Sequence, residues 1–141
     1  MSASIDYNGD PKLIMLSMVA ALFAAVMAWQ LNRLLEYLPE RFLFILAPLQ
    51  EEAVKTIPAI YMGAAIFFTH MFFGAAEGLW EILSHRRNGL YAGLAALASH
   101  STFGSIAALT YTLVDAVLPA ILAGYLVHLS WNYMVRILAG H

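Results

Sequence analysis

The sequence contains no cysteine, so disulfides and thiolate chemistry are excluded. Charge is scarce as well. Asp, Glu, Lys and Arg make up 11% of the 141 residues, where a soluble domain carries about a quarter. The net charge of -2 offers no electrostatic footprint for nucleic acid. No internal repeat, low-complexity tract or domain linker interrupts the chain. Neither G-x-S-x-G nor H-E-x-x-H occurs, so the serine elbow and the metalloprotease helix are both missing.

What fills the chain is apolar sequence: 62% of residues are hydrophobic, and the mean hydropathy is +0.73. This composition predicts an integral membrane protein of the all-α class, a polytopic bundle of about five transmembrane helices. A polar N-terminal segment, residues 1–12, precedes a single helical domain, residues 13–141. The spans read as Leu13 to Leu35, Phe42 to Met62, Ala64 to Leu83, Leu90 to Leu113 and Ala116 to Leu138. Pro48 lies inside the second span and is expected to kink it or start a new helix. Gly63 stands in a turn with no polar loop around it, so that turn must be tight. His85 to Gly89 is the clearest boundary in the chain. Arg33, Arg41, Arg86, Arg87 and Arg136 fall on one side of such a bundle, and Lys12, Asp6, Asp10 and Asp115 on the other. The positive-inside rule then places the N-terminus outside and the C-terminus in the cytoplasm.

The second span carries Glu51, Glu52 and Lys55 between apolar stretches. Ionisable groups at membrane depth are costly and are commonly functional. Helical spacing lets Lys55 reach either carboxylate, and pairing it with Glu52 leaves Glu51 as the freer base. Counted from the cytoplasmic span ends, Glu51, His100 and His128 lie about 14–15 Å deep, and Glu77 and Asn132 about 9 Å. Four spans thus place polar groups in one half of the bilayer. His128 and Asn132 are one turn apart on one face, and Gly93, Ala96, His100 and Gly104 form a mostly small stripe that admits a neighbouring backbone. Bland readings suit the rest. His70 reads as a histidine satisfied by a hydrogen bond, Glu81 as an interfacial carboxylate near Arg86 and Arg87, and Asp115 as a turn or N-cap residue. Trp29, Trp80 and Trp131 read as interfacial belt residues.

Two carboxylates near a histidine can activate a water, and a His and an Asn one turn apart can donate to a developing oxyanion. This is a hydrolase inventory without a Ser or Cys nucleophile. Zinc is compatible with Glu and His ligands drawn from several helices, although no close spacing demands it.

Pro48-Leu-Gln-Glu51-Glu52-Ala-Val-Lys55 resembles the E-E-x-x-K motif of the PrsW family of intramembrane proteases. Phe73-Gly-Ala-Ala-Glu77 is similar to that family's F-x-x-x-E motif, and His100 to its third-motif histidine. His128-Leu-Ser-Trp-Asn132 resembles the H-x-x-x-N motif shared with the CAAX-processing and bacteriocin-processing proteases. The resemblance covers about Ala47 to Tyr133 and implies a glutamic-type intramembrane endopeptidase with no cofactor beyond a catalytic water. Glu51 and Glu77 would activate that water, His128 and Asn132 would form the oxyanion site with His100 assisting, and Glu52 and Lys55 would support the site. The substrate would be a membrane protein or lipidated peptide in the lipid bilayer. Family members usually have more spans, so a homo-oligomer stays open. The residue after the second motif is commonly Asn; here it is Gly78. Two other classes compete: a small proton- or cation-coupled transporter, and a non-catalytic membrane interaction protein.

Overall fold

The computed structural model describes residues 10–84 and 87–140. Five α-helices follow in order: α1 Pro11–Leu35, α2 Glu40–Tyr61, α3 Ile66–Leu83, α4 Gly89–Val114 and α5 Val117–Leu138. The chain is all-α, and no strand occurs among the described residues. Asp6, Arg86 and the first nine residues of the expected polar segment lie outside that range, as does His85 of the boundary loop.

Local chemistry moves some ends. Asp10 caps α1 by accepting from the backbone N–H of Lys12 at 2.9 Å, and Pro11 fits the first turn. The first helix therefore starts before Leu13. Pro39 precedes α2, which begins at Glu40. No new helix starts at Pro48: α2 is continuous through Pro48 and Pro58. Proline's fixed φ is itself helical, so the helix loses a donor there without having to end. Gly63 turns the chain into α3 with φ +67°, as a tight connection requires. Asp115 is a turn residue, closing α4 in the left-handed region at φ 51°, and Ala116 is the cap of α5.

The helices close a cycle in which α1 packs on α2, α2 on α5, α5 on α4, α4 on α3 and α3 on α1; α2 and α3 also meet across it. Small residues set the approach. Ala20, Ala21, Ala24 and Ala28 form the buried face of α1, and Ala21, Ala24 and Ala28 pack with Phe73. Ser17 accepts from the backbone N–H of Ala65 at 3.1 Å, tying α1 to the start of α3. Helices α3 and α4 touch backbone to backbone, along the stripe the sequence marked. A Cβ on Gly78 would lie 2.7 Å from the carbonyl oxygen of Gly93, and one on Gly93 would lie 2.8 Å from that of Gly78. Gly78 is thus a packing residue, and an asparagine there would force the helices apart. Gly78→Ala should lower thermal stability by about 1–3 kcal/mol through overpacking; an unchanged melting temperature would show that α3 and α4 can separate freely.

Large apolar side chains are exposed on all five helices, among them Leu22, Ile45, Leu79, Leu109 and Leu126. Glu52, Lys55 and His70 are fully buried. Two helices, α1 and α4, are long and apolar enough to cross a membrane.

Candidate active site

The buried polar residues of α2, α3, α4 and α5 form one connected cluster. Its hub is Lys55. The Lys55 ammonium donates to Glu52 Oε1 at 2.5 Å, the partner that i,i+3 spacing predicts. It also lies 3.1 Å from His100 Nδ1 and 4.7 Å from the ring centre of Phe73. Its three donors therefore have a carboxylate, a ring nitrogen and an aromatic face.

These contacts settle one histidine tautomer. An ammonium only donates, so His100 Nδ1 accepts and the ring proton sits on Nε2. That Nε2–H points at Glu77 Oε2, 2.6 Å away. Lys55 on α2 thereby orients Glu77 on α3 through a histidine on α4. Phe73 and Phe103 stand edge-on to His100, with centroids at 5.1 and 5.4 Å.

His128 makes the second arm. Its Nδ1 lies 2.9 Å from Glu52 Oε1, and its Nε2 lies 4.0 Å from Glu51 Oε2. The ring is stacked on Phe103 at 4.6 Å. Because a carboxylate can only accept here, His128 donates through Nδ1 and turns Nε2 toward Glu51. To donate through Nε2 as well, the ring must carry both protons.

Glu51 and Glu77 emerge on one surface. Both line a cleft of about 650 Å³ together with Asn32, Trp29, Trp80, Glu81 and Phe73. The Glu51 side chain is 18% exposed and that of Glu77 46%, so these are the accessible ends of an otherwise buried network. The cleft opens where α1 faces α2 and α3. His100 and His128 stand behind its wall and reach it through the two glutamates. Asn132 is half-buried one turn beyond His128, and among the described residues its side chain has no hydrogen-bond partner.

Some members were missed by sequence reasoning. Asn32 donates to Glu51 Oε1 at 3.3 Å and accepts from Gln50, so α1 holds one side of the site. The available signal was an amide inside the apolar first span, directly before Arg33. Trp29 and Trp80 line the cleft, and Trp131 borders a smaller groove between α4 and α5 with Ser99, Thr102 and Ser130. The belt reading of the tryptophans did not anticipate these positions. Glu81, read as interfacial, lines the cleft too. Among the described residues no group of three or more His, Asp or Glu side chains has a geometry that could hold a metal ion.

Comparison with protein families, with curated proteins and with solved structures found no match.

Proposed function

We propose that this chain is a multi-pass membrane protein and an intramembrane peptidase that hydrolyses peptide bonds with a glutamate-activated water. The membrane part is supported by the inverted distribution of polarity. Soluble proteins rarely expose contiguous apolar patches beyond a few hundred Å², yet here every helix presents large apolar side chains outward. Of the charges of α2, Glu52 and Lys55 are fully buried and Glu51 is mostly covered, while Glu40 and Arg41 at its start are exposed. At about 1.5 Å per residue the five helices are all long enough, or nearly so, for a hydrocarbon layer of about 30 Å. Basic residues favour an outside N-terminus and a cytoplasmic C-terminus. Reporter fusions to both ends check this orientation, and a cytoplasmic N-terminus would overturn it.

The peptidase part rests on one observation: Glu51 and Glu77 line the same cleft, each backed by a histidine whose orientation is fixed from behind. In this reading a water sits between the two carboxylates. Glu51 takes its proton as the oxygen attacks the peptide carbonyl carbon. Glu77, held by His100, shares in positioning that water. His128, anchored on Glu52, donates through Nε2 as an imidazolium to the oxyanion that forms. The proton held by Glu51 then passes to the leaving amine. The resemblance to PrsW-type and CAAX-processing proteases agrees with this assignment, and cleavage of single-span substrates by the reconstituted protein, dependent on Glu51, tests it.

Asn132, which is not among the residues lining the cleft, is assigned as the second oxyanion donor in this scheme by its place one helical turn beyond His128. Removing one oxyanion donor slows chemistry about 10²–10³-fold. Asn132→Ala should therefore lower single-turnover cleavage by that factor and substrate binding far less. If binding falls equally, Asn132 is a docking residue.

The continuous chain Glu77–His100–Lys55–Glu52–His128 favours one second reading, a proton-coupled transporter. Proton flux into vesicles without any peptide cleavage would select it.

A further inference from the structure

Glu52 uses only half of its carboxylate in holding Lys55 and His128. Oε1 accepts from Lys55 and His128. Oε2 has no hydrogen-bond partner, and neither has His70 Nδ1. Both side chains are fully buried, and these two atoms face each other at 3.5 Å. Buried polar atoms without partners are uncommon and costly. Two of them face to face are complementary if one carries a proton.

The far side of the ring is compatible with a proton on Nδ1. His70 Nε2 lies 3.2 Å from Thr56 Oγ1. A hydroxyl can donate to Nε2, which leaves the ring proton on Nδ1, aimed at the carboxylate oxygen. The other tautomer would set a ring lone pair against Oε2 lone pairs with no water to separate them, an unfavourable arrangement in a buried site. The backbone is also cleared around this pair. A Cβ on Gly104 would lie 2.5 Å from His70 Cβ, and one on Gly124 would lie 2.6 Å from Glu52 Oε2. Helices α4 and α5 thus carry glycine where the histidine and the glutamate need the room.

We propose that His70 is a positioning residue, which holds Glu52 through Oε2 in the rotamer that presents Oε1 to His128. A shift of a few tenths of an ångström closes the gap and joins Thr56, His70, Glu52 and His128 into one hydrogen-bonded chain ending behind the cleft wall, beside Glu51. His70 touches no substrate; it acts through Glu52 on the ring of His128. The kinetic part of this inference rests on the peptidase reading, and the spectroscopic part does not.

The test compares His70→Asn, which keeps an N–H donor near the Nδ1 position, with His70→Gln, which puts its amide near the Nε2 position and loses that donor. Nitrogen spectra of histidine-labelled protein, assigned with a His128 variant, report whether Nδ1 of His128 holds a proton. The parent is expected to show His128 protonated on Nδ1. His70→Gln should blur that signal and lower kcat about 10- to 100-fold, the range found when a residue orienting a functional histidine is lost, with KM little changed. His70→Asn should keep the signal and most of kcat. Parental kcat and an unchanged His128 signal in His70→Gln overturn the proposal and leave His70 a packing residue. If neither variant folds, Thr56→Val removes only the hydroxyl that pins His70 Nε2 and so frees the ring to turn from Glu52, and an unaltered His128 spectrum there overturns it equally. If the parent cleaves nothing while the spectra follow the expected order, the peptidase reading falls and the positioning role stands.

Discussion

Glu51→Gln should abolish cleavage while leaving the protein able to insert, purify and melt like the parent. The side chain lies on the cleft wall, outside the Lys55 pair, so the change leaves no buried charge unmatched. Glutamine has nearly the same shape and still offers an oxygen to Asn32, whose Nδ2 lies 3.3 Å from Glu51 Oε1. What it lacks is the capacity to take a proton from water. General base catalysis contributes about 10²–10⁴-fold, so turnover should fall by at least that range. Single-turnover cleavage of a single-span test substrate in proteoliposomes measures it. Near-parental cleavage by Glu51→Gln would move the base to Glu77 and sink the assignment; a parent that cuts no membrane peptide would remove the peptidase reading altogether.

How far the sequence foretold this arrangement depends on where each partner lies. The five helices were legible because mostly apolar stretches alternate with turns marked by Pro39, Gly63, Asn88-Gly89 and Asp115. Their ends were less so: Asp10 starts α1 early because a cap depends on one side-chain bond, which apolar periodicity does not register. Of the two outcomes open at Pro48, a kink or a new helix, the new helix does not occur, because α2 continues through the proline. Within one helix, spacing sufficed to pair Lys55 with Glu52. The small stripe of α4 showed that a backbone would approach but not which one; α3 meets it through Gly74 and Gly78.

Across helices the sequence supplied candidates without contacts. Glu51, Glu77, His100 and His128 could be grouped by depth, yet depth is blind to direction around the cycle. It could not tell that His128 bonds to Glu52 at 2.9 Å and stands 4.0 Å from Glu51. Nor could it show that Lys55 reaches α4. Asn32 escaped for the same reason, since its partners Gln50 and Glu51 lie on another helix. His70 looked self-contained because a lone histidine on a helix usually satisfies a single hydrogen bond; both Thr56 and the opposed oxygen of Glu52 appear only in three dimensions.

The buried pair at the hub gives the largest expected effect on stability. Glu52→Gln leaves the Lys55 ammonium fully buried with its strongest partner gone, at a cost of about 3–5 kcal/mol. The companion change Lys55→Met removes the orphaned charge and keeps the volume of the side chain. A buried ion pair replaced as a unit by neutral groups is often near neutral in stability, so the double variant should recover most of the loss. A double-mutant cycle on reversible unfolding in mixed micelles reads this coupling. Activity should follow a different course. In the double variant His128 has lost its carboxylate anchor, and His100 has lost the donor that put its proton on Nε2 facing Glu77. Turnover per folded molecule should stay low even where stability returns. Additive losses of stability would show that Lys55 and Glu52 are not energetically paired despite their 2.5 Å contact. A double variant both stable and fully active would reduce the pair to a pin between helices, and the orientation of both histidines would then need another source.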